Sequence, residues 1–105
     1  MLIVTTPVLE GKRIVEYKEG IFHQVVKGTG FGRSIGAGFK SLSGGRSAGH
    51  EELIVDIREI ALQEISAKAA AMGANAIIGV TVDYEMLAND TLLLCKIFGT
   101  AVVAE

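Results

Sequence analysis

Apolar side chains recur every four residues at Leu53, Ile57, Ala61, Ile65 and Ala69, and Ile54, Ile60 and Met72 widen that stripe. The spacing predicts an amphipathic helix of about six turns. Its other face carries Glu51, Glu52, Asp56, Arg58, Glu59, Gln63, Glu64 and Lys68. The acids gather in the N-terminal half, where the helix dipole favours negative charge, so the helix is expected to start between Ser47 and His50. It should stop after Ala69-Ala70-Ala71-Met72, because Gly73 follows and glycine readily takes the positive φ that closes a helix C-terminus.

Past Gly73 the period changes from four to two. Residues 75–86 place Ile78, Val80, Val82, Tyr84 and Met86 on one face, and Ile77, Gly79, Thr81, Asp83 and Glu85 on the other, which predicts a strand. Residues 91–104 are β-branched and apolar, with a bend at Gly99, and the turn-forming Ala88-Asn89-Asp90 joins the two strands as a hairpin. Upstream, residues 2–5 read as a short strand ended by Thr6-Pro7, since proline has no N–H for a ladder. Residues 13–27 read as a long strand with Val15, Tyr17, Ile21, His23 and Val25 in alternate register and a bulge at Gly20. Between the halves, residues 28–49 hold eight of the 13 glycines, while Phe31, Ile35, Phe39 and Leu42 keep a helical spacing that suggests a short, closely packed helix. The predicted order is ββααββ, an α+β domain with one mostly antiparallel sheet and its helices on one side.

The 105 residues suit one domain with a single core. Half are hydrophobic, yet no stretch approaches the roughly 18 apolar residues of a membrane span. No basic, then apolar, leader opens the chain, and the lone Cys95 has no disulfide partner within it; both lead to the expectation of a cytoplasmic protein. A net charge of −2 argues against a general nucleic-acid binder. The charge is unevenly spread, however. No acid lies between Gly20 and His50, where Lys27, Arg33, Lys40 and Arg46 sit, so this stretch either binds an anion or faces an acidic surface of a neighbouring subunit.

Several blocks together carry a family resemblance: Thr5-Thr6-Pro7, Glu10-Gly11, Ile14-Val15-Glu16-Tyr17, Gly44-Gly45-Arg46-Ser47, the helical Arg58, Ala61 and Glu64, Gly73-Ala74-Asn75-Ala76, Asp83-Tyr84-Glu85 and Gly99-Thr100-Ala101-Val102. Nearly end to end, the chain resembles the YbjQ family. That resemblance implies a small cytoplasmic protein, described by heavy-metal binding without an established activity, and a homopentamer of an α+β fold comparable to dodecin subunits. His23-Gln24-Val25, Gly30, Arg33-Ser34 and His50 depart from the family's usual residues.

Asp83 and Glu85 share a strand face about 7 Å apart by strand geometry, a placement that suits a hard divalent cation or a cationic partner. Two carboxylates alone make an ordinary solvated face or ion pairs; symmetry would have to bring further ligands. His23, His50, Cys95 and the methionines are the soft-metal inventory, but none stand at a chelating spacing. Cys95, Met72 and Met86 read as core residues instead. Gly28-Thr29-Gly30-Phe31-Gly32-Arg33 resembles an anion cradle but lacks a Walker lysine. Ser47, beside His50, Glu51 and Glu52, reads as a helix N-cap rather than a nucleophile, because no Gly-x-Ser-x-Gly elbow surrounds it.

These residues predict a non-enzymatic oligomeric binding or scaffold protein, for divalent or heavy-metal ions as the resemblance implies, with Asp83 and Glu85 as metal ligands. The alternative is an anionic small-molecule binder that uses segment 28–49 at a subunit interface through Arg33, Arg46 and Ser47. Apolar strands near both termini exceed what a helix pair can cover, so a closed homo-oligomeric ring is expected. The number five is implied by the resemblance alone.

Overall fold

The computed structural model describes residues 1–28 and 48–105. The helix expected over residues 31–42 and the N-cap expected at Ser47 lie outside the described residues. Within them the order is β1 (Leu2–Ile3), β2 (Ile14–Gly28), α1 (Ala48–Ala71), β3 (Ala76–Leu87) and β4 (Leu92–Ala104). The four strands form one sheet in the order β1-β3-β4-β2. Both β2 and β3 pair antiparallel with β4, but β1 pairs parallel with β3, so the sheet is mixed. The connection from β1 to β3 passes through β2 and α1. Such long-range pairing leaves no local signal, unlike the hairpin that joins β3 to β4.

The four-residue stripe of α1 is the core. Leu53, Ile57, Ala61, Ile65 and Ala69 are all 2% exposed or less, and they pack on Ile21, Ile77, Val80, Leu93, Cys95, Ile97 and Ala101 of the sheet. The helix ends as glycine chemistry requires. Gly73 has φ +86°, its N–H donates to the Ala70 carbonyl, and the Ala74 N–H donates to the Ala69 carbonyl, each at 3.0 Å. These paired bonds satisfy carbonyls that the helix itself cannot. A Cβ at Gly73 would meet only Lys18 atoms at 3.8 Å, so the space is open and φ is the whole constraint. Gly73→Val is therefore expected to cost about 1–2 kcal/mol. Urea midpoints with an unchanged m-value would show it, and coincident midpoints would remove the glycine cap.

One expectation for β3 is corrected. Pairing with β4 shifts between Ile78 and Thr81, where Gly79 takes φ +61° and makes a bulge. The extra residue reverses the phase of the strand. Ile77, not Ile78, joins Val80, Val82 and Tyr84 against the helix, while Ile78 joins Ala76 on the opposite face. The bulge expected in β2 is also displaced. Gly20 pairs regularly with Thr100, and the irregularities fall between Ile14 and Glu16 and between Tyr17 and Glu19. Val15 and Tyr17 are consequently exposed, as is Met86, which had read as core.

Among the described residues, the opposite sheet face is half covered. Leu9, with Val4 and Ile14, packs on Ala76, Ile78, Val102 and Ala104. The Val4 N–H donates to the Ile77 carbonyl at 2.9 Å, and the Val80 and Gly79 N–H groups donate to the carbonyls of Val4 and Thr6, which carries the N-terminal segment past the bulge. Asn75 extends the end of β4: its side-chain amide donates to the Ala104 carbonyl and its Oδ1 accepts from the Ala104 N–H, both at 2.8 Å.

Candidate metal-binding surface

The covering by residues 4–14 stops halfway along the sheet. Beyond it, the same face presents Phe22 and Phe98 stacked at 5.9 Å between ring centroids, Val26, and the side chains of Asp83, Glu85 and Lys96. Strand periodicity places Asp83 and Glu85 two residues apart on one face, past the bulge, so both remain outside the core. Lys96 lies directly across from Asp83 on β4. Its ammonium is 3.5 Å from Glu85 Oε2 and 4.0 Å from Asp83 Oδ2.

The two predicted metal ligands are therefore brought together on one surface with an ammonium at their side. One cation against two carboxylates leaves that surface with a net negative charge. The pair is well solvated, with side chains 69% and 53% exposed. Exposed ion pairs of this kind contribute about 0–1 kcal/mol, so the lysine is a weak competitor for a divalent ion. In the sequence, a lysine ten or more residues away gives no sign of this role; only the hairpin register reveals it.

His23 and Cys95 are separated from this surface by the sheet itself. His23 faces α1, where its Nε2 lies 3.1 Å from Glu64 Oε2. Cys95 also faces α1 and is fully buried. Burial pushes its thiol above the ordinary value of 9.0, and the Arg58 guanidinium partly offsets that rise. A buried neutral thiol is a poor nucleophile and a poor metal ligand, because both roles need the thiolate. Among the described residues, no three of the His, Cys, Asp and Glu side chains converge on one point within a single chain. Of the residues considered for an anionic ligand, Arg33, Arg46 and Ser47 all lie outside the described residues.

An apolar cleft between the first half of α1 and the hairpin tip is lined by Leu53, Ile54, Met86, Asp90 and Leu93. It offers one carboxylate and one thioether beside aliphatic side chains. No described helix is long and apolar enough to cross a membrane.

Comparison with known proteins places the chain. A protein of Listeria grayi named UPF0145 protein is 47% identical over 106 residues, covering all of both chains. One from Listeria welshimeri with the same name is 45% identical and matches all of this chain and 96% of its own. A crystal structure from Pediococcus pentosaceus, a protein of unknown function in the DUF74 family, superposes with a TM-score of 0.67. It covers 100% of this chain and 98% of its own at 16% identity, so it supports the fold alone. The family model YbjQ_1, described as "Putative heavy-metal-binding", matches residues 1–105. The chain belongs to the YbjQ family along its whole length.

Proposed function

We propose that this protein is a non-enzymatic, cytoplasmic, oligomeric ion-binding protein, whose Asp83 and Glu85 complete a divalent-cation site only when copies from several subunits meet around a symmetry axis. The observation that carries this reading is the pair of solvated carboxylates set side by side against one ammonium. A single chain offers two oxygen-bearing side chains there, whereas hard divalent ions take six or more oxygen ligands. Cyclic symmetry multiplies the pair without any further change in sequence. The family description agrees with an ion as ligand, and five subunits is the number that the family resemblance implies.

Calorimetric titration with Mn²⁺ and Zn²⁺ tests the assignment. The wild type is expected to bind weakly, with Kd on the order of 0.1–1 mM, as solvated oxygen sites do. The Asp83→Asn, Glu85→Gln double variant should lose that binding. Lys96→Gln should strengthen it several-fold, because the competing ammonium is gone. Equal binding by the wild type and the double variant, or binding by neither, sinks the site.

A further inference from the structure

A metal ion gives Asp83 and Glu85 a role but leaves their aromatic neighbours without one. Hard divalent ions take oxygen ligands and gain nothing from a phenyl ring. Yet Phe22, 71% exposed, and Phe98, 39% exposed, stand stacked on the same sheet face, in the row next to Asp83. We infer that this part of the face is an organic-cation site, which takes an alkylguanidinium group stacked on Phe98 and held by the Asp83 carboxylate. It lies within a single chain and goes beyond the metal reading to a different class of ligand.

Register fixes the neighbours of that site. Phe98 stands opposite Phe22 on β2 and opposite Thr81 on β3, while Lys96, two residues earlier on β4, stands opposite Asp83. Positions two apart on a strand share a face, so Thr81 and Phe98 form one row and Asp83 and Lys96 the next. Phe22 stacks against Phe98 with ring centroids 5.9 Å apart and planes inclined by 28°, which fills the β2 side. The β3 side holds Thr81, a short side chain in an exposed position. The space above Thr81 therefore has Phe98 on its flank and Asp83 at its end. Diagonal neighbours on paired strands lie about 7–8 Å apart, a span that one planar cation bridges from ring to carboxylate.

The charges around this space select the ligand. The Lys96 ammonium is 3.5 Å from Glu85 Oε2 and 4.0 Å from Asp83 Oδ2, so it leans toward Glu85. Asp83 is the less satisfied of the two carboxylates, and its side chain is 69% exposed. Among the described residues, one ammonium against two carboxylates leaves room for a second cation. A guanidinium is planar and weakly hydrated, stacks on aromatic faces, and presents forked N–H groups that match a carboxylate. A compact ammonium holds its water more strongly and has no flat face to stack. The phenyl ring adds cation–π attraction, which at an exposed position raises affinity about two- to five-fold.

Titration of the wild type with agmatine at low ionic strength, followed by amide chemical shifts, tests the site. Putrescine serves as the ammonium counterpart of similar length. Agmatine is expected to bind with Kd on the order of 1–10 mM, as exposed ion pairs allow, and to move the amides of Thr81, Asp83 and Phe98. Putrescine should bind about three-fold more weakly. Phe98→Leu keeps apolar bulk but removes the ring face, so it should weaken agmatine about three-fold and leave Mn²⁺ binding unchanged. Asp83→Asn should weaken both ligands. Should Phe98→Leu not fold, the preference of the wild type for agmatine over putrescine decides the matter. Equal affinity for the two amines, wild-type agmatine binding by folded Phe98→Leu, or shifts centred on the acidic start of α1 overturns the guanidinium site. Mn²⁺ binding without agmatine binding overturns it too and leaves the metal reading standing, whereas agmatine binding without Mn²⁺ binding supports it and removes the metal.

Discussion

Gly99→Ala should lower stability by about 1–3 kcal/mol, and Gly99→Val by on the order of 4 kcal/mol. Gly99 lies on β4 opposite the β3 bulge, where the extra residue pushes the chain toward it. A Cβ built there would stand 2.8 Å from Ile77 Cγ2, 3.0 Å from Val80 Cγ2 and 3.1 Å from the Ile78 carbonyl oxygen. None of these atoms can retreat easily. Ile77 is fully buried, Val80 is 6% exposed, and the carbonyl belongs to the backbone of the bulge itself. The expected loss is a large share of the roughly 5–15 kcal/mol that a domain of this size possesses. Urea denaturation of wild type and variants at one protein concentration measures it, the fixed concentration being needed because assembly would add to apparent stability. If Gly99→Ala unfolds at the wild-type midpoint, the close approach across the bulge is wrong.

Ile57→Ala should cost about 2–5 kcal/mol, since it removes a fully buried side chain from the middle of the helix stripe and leaves a cavity that its neighbours only partly fill. Val55, two residues earlier on α1, is 45% exposed and supplies the control. Val55→Ala should change stability by less than about 0.5 kcal/mol, because little apolar area returns to water and alanine is the better helix former. The contrast separates burial from helix propensity, which would favour alanine at both positions. Similar midpoints for the two variants would contradict the packing of α1 on the sheet. Neither substitution touches Asp83 or Glu85, so metal binding by any Ile57→Ala protein that remains folded should match the wild type.

The helix and its end could be read from residue types because the forces involved are local. A four-residue apolar period marks the buried stripe wherever the partner sheet comes from, and Gly73 ends the helix through its own φ. The same holds for the hairpin. Ala88, Asn89 and Asp90 all take positive φ, between 51° and 65°, which asparagine and aspartate tolerate well, so the turn signal lay in the residues that make it. The closeness of Asp83 and Glu85 was equally visible, as two positions on one strand always share a face.

Other features arose only from contacts between distant segments. Gly79 looked like any strand residue, yet its bulge reversed which isoleucine faces the helix, because tight approach to Gly99 and pairing with the N-terminal segment select that conformation. The exposure of Val15 and Tyr17 followed from bulges that a β-rich run does not advertise. Lys96 became the neighbour of both carboxylates through the register of β3 on β4. Residue types alone indicated the described elements, the core stripe and the acidic pair, since each rests on interactions within one turn of helix or a few strand residues. The phase of β3, the parallel placement of β1 and the strand order came from the folded chain, because they depend on pairings between segments dozens of residues apart.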